Sequence, residues 1–371
     1  MKRYFFFAFT VLFLLFFSTQ NICASSATSH CVIDALTGRV LYEKNAHTKR
    51  GMASTTKIVT AIVALESALP ESVATVSEKA SRTEGSSLYL KPGEKMSISD
   101  LVYGLMLNSG NDAAVVIAEH IGGSVDDFAK MMNELAKKIG ASNTHFTNPN
   151  GLYDEQHYTT AYDLAIITQY ALKNERFKKI VSTKKYTIET IGESRKIYLS
   201  NHNKLLNTLD GCDGVKTGFT KKTGRCLVSS TTRDGWQTIC VTLNAPDDWN
   251  DHKSLTNQAF SEYKKKKIIS KGQVAKTVYV ENGVNNYVDI VVSEDVFAPV
   301  KEGAAIDFEI LYNQDKKLAA PLAENEKVGT IELKYNDITF ATVDAITNAA
   351  VEITKKASYF DKLMLILKTF L

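Results

Sequence analysis

The chain has 371 residues, of which 44% are hydrophobic and 23% charged, with a formal net charge of +3. That is ordinary globular composition, and the length allows two domains. The charge excess is too mild to imply nucleic-acid binding, and no basic stripe is interleaved with aromatics.

The first residues form a targeting pattern. Lys2 and Arg3 precede an apolar run over residues 4–17, and small residues follow at Ala24, Ser25, Ser26 and Ala27. This layout predicts a secretory signal peptide over 1–24, cleaved near Ala24 or Ala27. The run falls short of the roughly 20 apolar residues that a spanning helix needs. Cys23 is preceded by Gln20-Asn21-Ile22, too polar for a lipid-attachment signal. An exported chain would keep Cys31, Cys212, Cys226 and Cys240. They could pair as disulfides or stay as buried thiols, and the spacing does not choose. No cysteine–histidine spacing fits a metal site, and His-Glu-x-x-His is absent, so neither metal nor cofactor is expected.

Residues 31–43 read as a hairpin turning at Leu36-Thr37-Gly38. The stretch Met52-Ala53-Ser54-Thr55-Thr56-Lys57 then heads a segment in which Ile58, Ile62 and Leu65 repeat at helical spacing. Residues three apart share a helix face, so Ser54 and Lys57 would lie side by side. A serine hydroxyl needs a base within reach, and a lysine of lowered pKa can be that base. Ser-x-x-Lys also occurs at Ser182–Lys185 and Ser261–Lys264. Its neighbours must therefore single out the first copy.

Residues 97–120 read as two helices, capped by Ser97 or Ser99 and broken at Asn108-Ser109-Gly110-Asn111-Asp112. Residues 126–139 form an amphipathic helix, 160–173 another, with the loop Thr147-Asn148-Pro149-Asn150-Gly151-Leu152 between them. Residues 182–199 lean toward strand. So do 211–219, which contain Lys216-Thr217-Gly218, and two further strands follow at 226–231 and 237–243. A second Lys-Thr-Gly, at Lys222, falls in a turn. Residues 251–264 look helical, and the lysine run 264–267 reads as its solvated end.

Beyond residue 271, short runs at 278–280, 287–292, 306–312, 328–335 and 338–343 predict a small all-β module. In the last residues Phe360, Leu363, Leu367 and Phe370 share one face, opposite Asp361, Lys362 and Lys368. This suits a helix over 355–371 lying on a membrane surface.

Ser54-x-x-Lys57, Ser109-Gly110-Asn111 and Lys216-Thr217-Gly218 occur in this order. The set resembles the penicillin-binding protein and serine β-lactamase superfamily. The flanking words Gly51-Met52-Ala53-Ser54, Asn108-Ser109-Gly110-Asn111-Asp112-Ala113, Phe146-Thr147-Asn148-Pro149-Asn150-Gly151-Leu152 and Lys216-Thr217-Gly218-Phe219-Thr220 narrow the resemblance. They look like the low-molecular-mass D-alanyl-D-alanine carboxypeptidases. The resemblance implies that Ser54 is the nucleophile and Lys57 its base, with Ser109 relaying a proton to the leaving amine. It implies that Asn111 holds the substrate amide and that Lys216 and Thr217 bind the terminal carboxylate. The backbone N–H groups of Ser54 and Phe219 would form the oxyanion hole, with Gly218 admitting the substrate backbone. The substrate would be a peptidoglycan stem peptide, β-lactams would acylate Ser54, and no cofactor is implied. Gly110 stands where many relatives carry aspartate, which suits the carboxypeptidase branch.

The expected fold is α+β. A transpeptidase-like catalytic domain over 28–266 would pair a five-stranded antiparallel sheet, flanked by helices, with a helical lobe over about 67–174. The all-β domain, 272–348, and the amphipathic helix would follow. Two alternatives carry the same motifs: a serine β-lactamase and a catalytically silent wall-binding scaffold. The first lacks its Glu-x-x-x-Asn loop between Asn111 and Lys216. The second would have no reason to keep every reactive side chain. Histidines His202 and His252 are expected at surface or structural places.

Overall fold

The computed structural model describes residues 25–192, 195–304, 308–314, 317–335 and 338–354. The expected leader, 1–24, and the amphipathic tail, 355–371, lie outside the described residues. In chain order the first elements are β1 (Ser29–Asp34), β2 (Val40–Lys44), a 3₁₀ turn (Ala53–Thr56), α1 (Lys57–Ser67), β3 (Val73–Thr75), α2 (Glu78–Ser81) and β4 (Lys95–Ser97). Then come α3 (Ile98–Leu107), α4 (Asn111–Gly122), α5 (Val125–Ile139), α6 (Ala161–Ala171), α7 (Glu175–Ser182), β5 (Lys185–Glu189), β6 (Lys196–Ser200) and α8 (Leu205–Thr208). The catalytic half closes with β7 (Cys212–Thr220), β8 (Gly224–Arg233), β9 (Trp236–Leu243) and α9 (Asp248–Glu262). The remainder is strand: β10 (Tyr263–Ile269), β11 (Val274–Glu281), β12 (Tyr287–Val292), β13 (Val296–Lys301), β14 (Glu309–Gln314), β15 (Leu318–Ala319), β16 (Lys327–Tyr335) and β17 (Ile338–Thr347).

Five antiparallel strands form the expected sheet, in the order β2-β1-β9-β8-β7. The amino-terminal hairpin reaches the later strands because β1 pairs with β9 from Ser29↔Leu243 to Asp34↔Thr238. Helix α9 covers one face, and α6 packs on β1 and β9 across the other. So α6 serves the sheet, although its sequence position falls within the expected helical lobe. Helices α1, α3, α4 and α5 make the lobe. Helix α1 is apolar nearly all round, and every residue from Lys57 to Leu65 is buried, as such a helix must be. Strand β7 is the sheet's edge and packs against the turn before α1.

One local expectation gives way, and two open points are filled. The lysine run is not a helix end: Lys264–Lys267 belong to β10, which pairs with β13 in a two-stranded ribbon. All four side chains remain exposed, so the solvation argument held while the backbone assignment did not. Helix α7, capped by Asn174, occupies a stretch that carried no helical expectation. Of the two states left open for the cysteines, the four among the described residues form no disulfide with one another, and three of them are buried.

The carboxy-terminal strands form a six-stranded sheet, β14-β16-β17-β12-β11-β15. Alternating residues Val278 and Val280, Val288, Ile290 and Val292, and Ile331 and Leu333 build its core. Arg39 ties this domain to the first, with Nη1 donating to Pro299 O at 2.6 Å.

Candidate active site

The turn Ala53–Thr56 is 3₁₀, where side chains three apart eclipse. Ser54 and Lys57 therefore line up, with Lys57 Nζ 2.9 Å from Ser54 Oγ. Lys57 is fully buried at the head of α1. Its amine donates to Asn111 Oδ1 and to Asn150 O, each at 2.6 Å. A neutral amine has two N–H donors and one lone pair. Both donors are committed to acceptors, so the lone pair is left for the Ser54 hydroxyl. Burial holds the Lys57 pKa well below its ordinary value, the charge of Lys216 lowers it further, and Asp112 opposes both. Burial is the leading cause, ahead of the neighbouring cation.

Ser109 sits between α3 and α4 with φ +62°, left-handed backbone that a non-glycine residue rarely adopts. Asn111 opens α4. Its Nδ2 donates to Glu84 O at 2.6 Å while its Oδ1 accepts from Lys57. Each end of this amide thus has a protein partner, and the second Nδ2 hydrogen is left for the substrate amide that the family role assigns to it.

The third motif lies on β7. Gly218 passes so close to the nucleophile turn that a Cβ there would stand 3.0 Å from both Ser54 N and Thr55 N. This contact brings the Phe219 backbone beside that of Ser54. Lys216 is buried, donates from Nζ to Thr217 O at 2.9 Å, and has its pKa lowered by burial to about 7. It lies behind the cleft wall.

The cleft itself has a volume of about 330 Å³. Ser54, Ser109, Thr217, Gly218 and Phe219 line it, so residues far apart in sequence converge there. Lys57, Asn111 and Lys216 stand behind them. A crevice of similar volume, between the main sheet and the β10–β13 ribbon, is lined by no serine, cysteine or histidine. Among the described residues no cluster of histidine, cysteine and acidic side chains could hold a metal.

Several working parts escaped the sequence reading. The Asn150 carbonyl is one, since any residue carries a carbonyl. Gly151 is another: φ is +85°, and a Cβ would fall 2.0 Å from Ala53 O. The loop thus braces the nucleophile turn, helped by Thr60 Oγ1 donating to Pro149 O at 2.6 Å. His157 braces it too. Thr147 N donates to His157 Nδ1, so the proton is on Nε2 and is donated to Thr56 Oγ1, which donates to Ala53 O. Burial lowers this imidazole's pKa to about 4, so it is neutral. His252 bridges Ser229 and Thr242 inside α9's face of the sheet, a structural place. His202 is exposed, a surface place as expected, and it lines the mouth of the cleft together with Lys204. Arg225 lines it as well, held by Asp248 through Nε at 3.0 Å and Nη2 at 2.8 Å, with its guanidinium over Trp249.

A serine hydroxyl beside a buried lysine amine, with two backbone donors at hand and an open edge strand alongside, defines an acyl-transferring serine enzyme of the penicillin-binding fold. Sequence comparison is specific. The D-alanyl-D-alanine carboxypeptidase family (peptidase S11) matches residues 17–247, and the C-terminal domain of penicillin-binding protein 5 matches residues 263–353. The chain belongs to that carboxypeptidase family. The D-alanyl-D-alanine carboxypeptidase DacF of Bacillus subtilis is 34% identical over 347 residues, 91% of this chain and 88% of the relative. Penicillin binding protein 5 from Haemophilus influenzae superposes with a TM-score of 0.70 at 29% identity, covering 88% of this chain and 98% of the other. PBP3 from Streptococcus pneumoniae, at 24% identity and a TM-score of 0.77 over 88% and 100% of the two chains, shares the fold.

Proposed function

We propose that this chain is a serine-type D-alanyl-D-alanine carboxypeptidase acting on peptidoglycan stem pentapeptides. The observation that carries the reading is the Lys57 amine, whose two other contacts are acceptors and whose remaining partner is Ser54 Oγ. Ser54 attacks the carbonyl of the penultimate D-alanine while Lys57 takes its proton. The N–H groups of Ser54 and Phe219 receive the oxyanion; one such donor is worth roughly 3 kcal/mol. Ser109 passes a proton to the departing amine of the terminal D-alanine. Thr217 meets the terminal carboxylate at the cleft wall, and Lys216 adds charge from behind it. Water then cleaves the acyl-enzyme. β-Lactams enter the same path and remain on Ser54.

The reading extends to location. Cleavage at Ala24 would release a chain whose Ser26 N and Oγ both donate to Asp251, at 2.8 and 2.6 Å. That bond anchors the new terminus on α9. The chain would work outside the cytoplasmic membrane, held to its surface by the helix over 355–371. Cell fractionation with and without that tail tests the attachment. No helix among the described residues is long and apolar enough to cross a membrane.

Incubation with a pentapeptide ending in D-alanyl-D-alanine is expected to release one D-alanine per peptide. Fluorescent penicillin is expected to label Ser54 and to leave Ser54→Ala unlabelled. A wild-type chain releasing nothing between pH 5 and 10 overturns the reading.

A further inference from the structure

Asp112 belongs to none of the three motifs, yet it is fully buried beside them. Its carboxylate accepts from Ser87 Oγ at 2.7 Å, Leu88 N at 2.9 Å, Leu90 N at 3.1 Å and Ala113 N at 2.9 Å. A carboxylate is all acceptor, and here one loop and one helix end fill it with donors. The loop is 84–90. Its Leu88 occupies space that only glycine leaves open: a Cβ on Gly104 would come within 2.2 Å of Leu88 Cδ1, and one on Gly110 within 2.9 Å of Leu88 Cγ.

The other end of this loop holds Asn111. Glu84 O accepts from Asn111 Nδ2 at 2.6 Å, and Ser86 O accepts from Asn111 N at 2.7 Å. A primary amide has a donor end and an acceptor end. Turned over, Asn111 would set an N–H₂ against the Lys57 amine and an oxygen against the Glu84 carbonyl. Both contacts would oppose like with like. The position of the loop carbonyl therefore decides which end of the amide Lys57 meets.

We propose that Asp112 is a positioning residue for acyl transfer: it pins loop 84–90, and the pinned loop turns the Asn111 amide so that its oxygen receives a Lys57 N–H. Asp112 touches neither substrate nor Ser54. It acts through the loop, Asn111 and Lys57 in turn, and this inference rests on the acyl-transfer reading above. A second effect runs through space. The charged and titratable groups facing Lys57 are Lys216 from β7, Asp112 from α4 and His157 from the loop ahead of α6. Asp112 is the acid among them, so removing its charge makes the Lys57 amine easier to deprotonate.

The test is the pH profile of penicillin acylation per titrated site, in the full chain, for Asp112→Asn and Ser87→Ala. An asparagine offers one acceptor oxygen and sets its own N–H₂ among the loop donors. We expect Asp112→Asn to acylate roughly tenfold to a hundredfold more slowly at pH 8, the usual worth of a hydrogen bond to a charged group. Its rising limb is expected to move to lower pH. Ser87→Ala, which removes one donor and keeps the charge, is expected to slow acylation about threefold with the limb in place. Should Asp112→Asn fail to fold, the rate of Ser87→Ala decides. Fewer active sites with wild-type rate and limb per site would make Asp112 merely structural and overturn the proposal. A wild-type chain that neither releases D-alanine nor takes up penicillin would instead sink the proposed function.

Discussion

One methyl group at Gly218 separates the working of the site from the stability of the fold. The backbone of Gly218 is not left-handed, so Gly218→Ala adds no torsional strain. What it adds is a Cβ 3.0 Å from Ser54 N and Thr55 N and 3.2 Å from Met52 O. Those atoms are backbone and must move a few tenths of an ångström. Overpacking of this kind costs about 1–3 kcal/mol. Loss of glycine freedom in the unfolded chain returns about 0.4–1 kcal/mol. The net destabilisation is then on the order of 0–2.6 kcal/mol, a fall in Tm of roughly 0–10 °C for a domain of this size. The chemistry suffers more. In the proposed mechanism Ser54 N is an oxyanion donor, and losing one such donor costs about 10²–10³ in rate. Stopped-flow acylation by a fluorescent penicillin, per titrated site, reads the rate, and calorimetry reads the Tm. We expect a hundredfold or greater loss of rate in a protein that still melts cooperatively. Wild-type acylation by Gly218→Ala would refute the placement of β7 against the nucleophile turn.

The other outcomes follow from the buried bases. Lys57→Arg keeps positive charge but cannot act as a base, so acylation should fall about 10²–10⁴-fold and should not recover at high pH. In the wild type the rate should climb as pH rises through the lowered Lys57 pKa, because the neutral amine is the working form; a flat profile from pH 5 to 10 contradicts this. The histidines set the acid limit of stability. Burial lowers the pKa of His157 to about 4 and of His252 to about 3, below the ordinary 6.5. The unfolded chain then binds more protons than the folded one below pH 6.5, so stability falls as pH drops from there toward 4. Urea midpoints should show that fall, and His252→Gln should reduce it; an unchanged slope in that variant would remove His252 from the account.

Why some of this was legible and some not comes down to which atoms do the work. Where chemistry needs a particular side chain, the sequence displays it: Ser54, Lys57, Ser109 and Lys216 were all visible, as were the strands around them, because short runs rich in apolar and β-branched residues, bounded by turn residues, mark β8 and β9. Where backbone does the work, no letter records it. The Asn150 carbonyl, the Glu84 and Ser86 carbonyls and the open edge of β7 could be carried by almost any residue. The missed elements have a related cause. Helix α7 spans only Glu175–Ser182, too few residues for periodicity to stand out. Strand β10 hides in four consecutive lysines, since partnership with β13 and cation–π contacts from Lys265 and Lys267 to Phe297 are tertiary facts. The three copies of Ser-x-x-Lys make the same point from the other side. Ser182 ends α7 with its hydroxyl turned to Lys178 O, and Lys185 is exposed at the start of β5. Lys264 is exposed as well and donates to Phe260 O. Three residues of spacing are shared by all three, but only at Lys57 is the amine sealed from water and its donors spoken for. The basicity of the pair is therefore made by the acceptors and apolar surface packed around α1, and a serine–lysine pair grafted onto an exposed helix would reproduce the motif without the base.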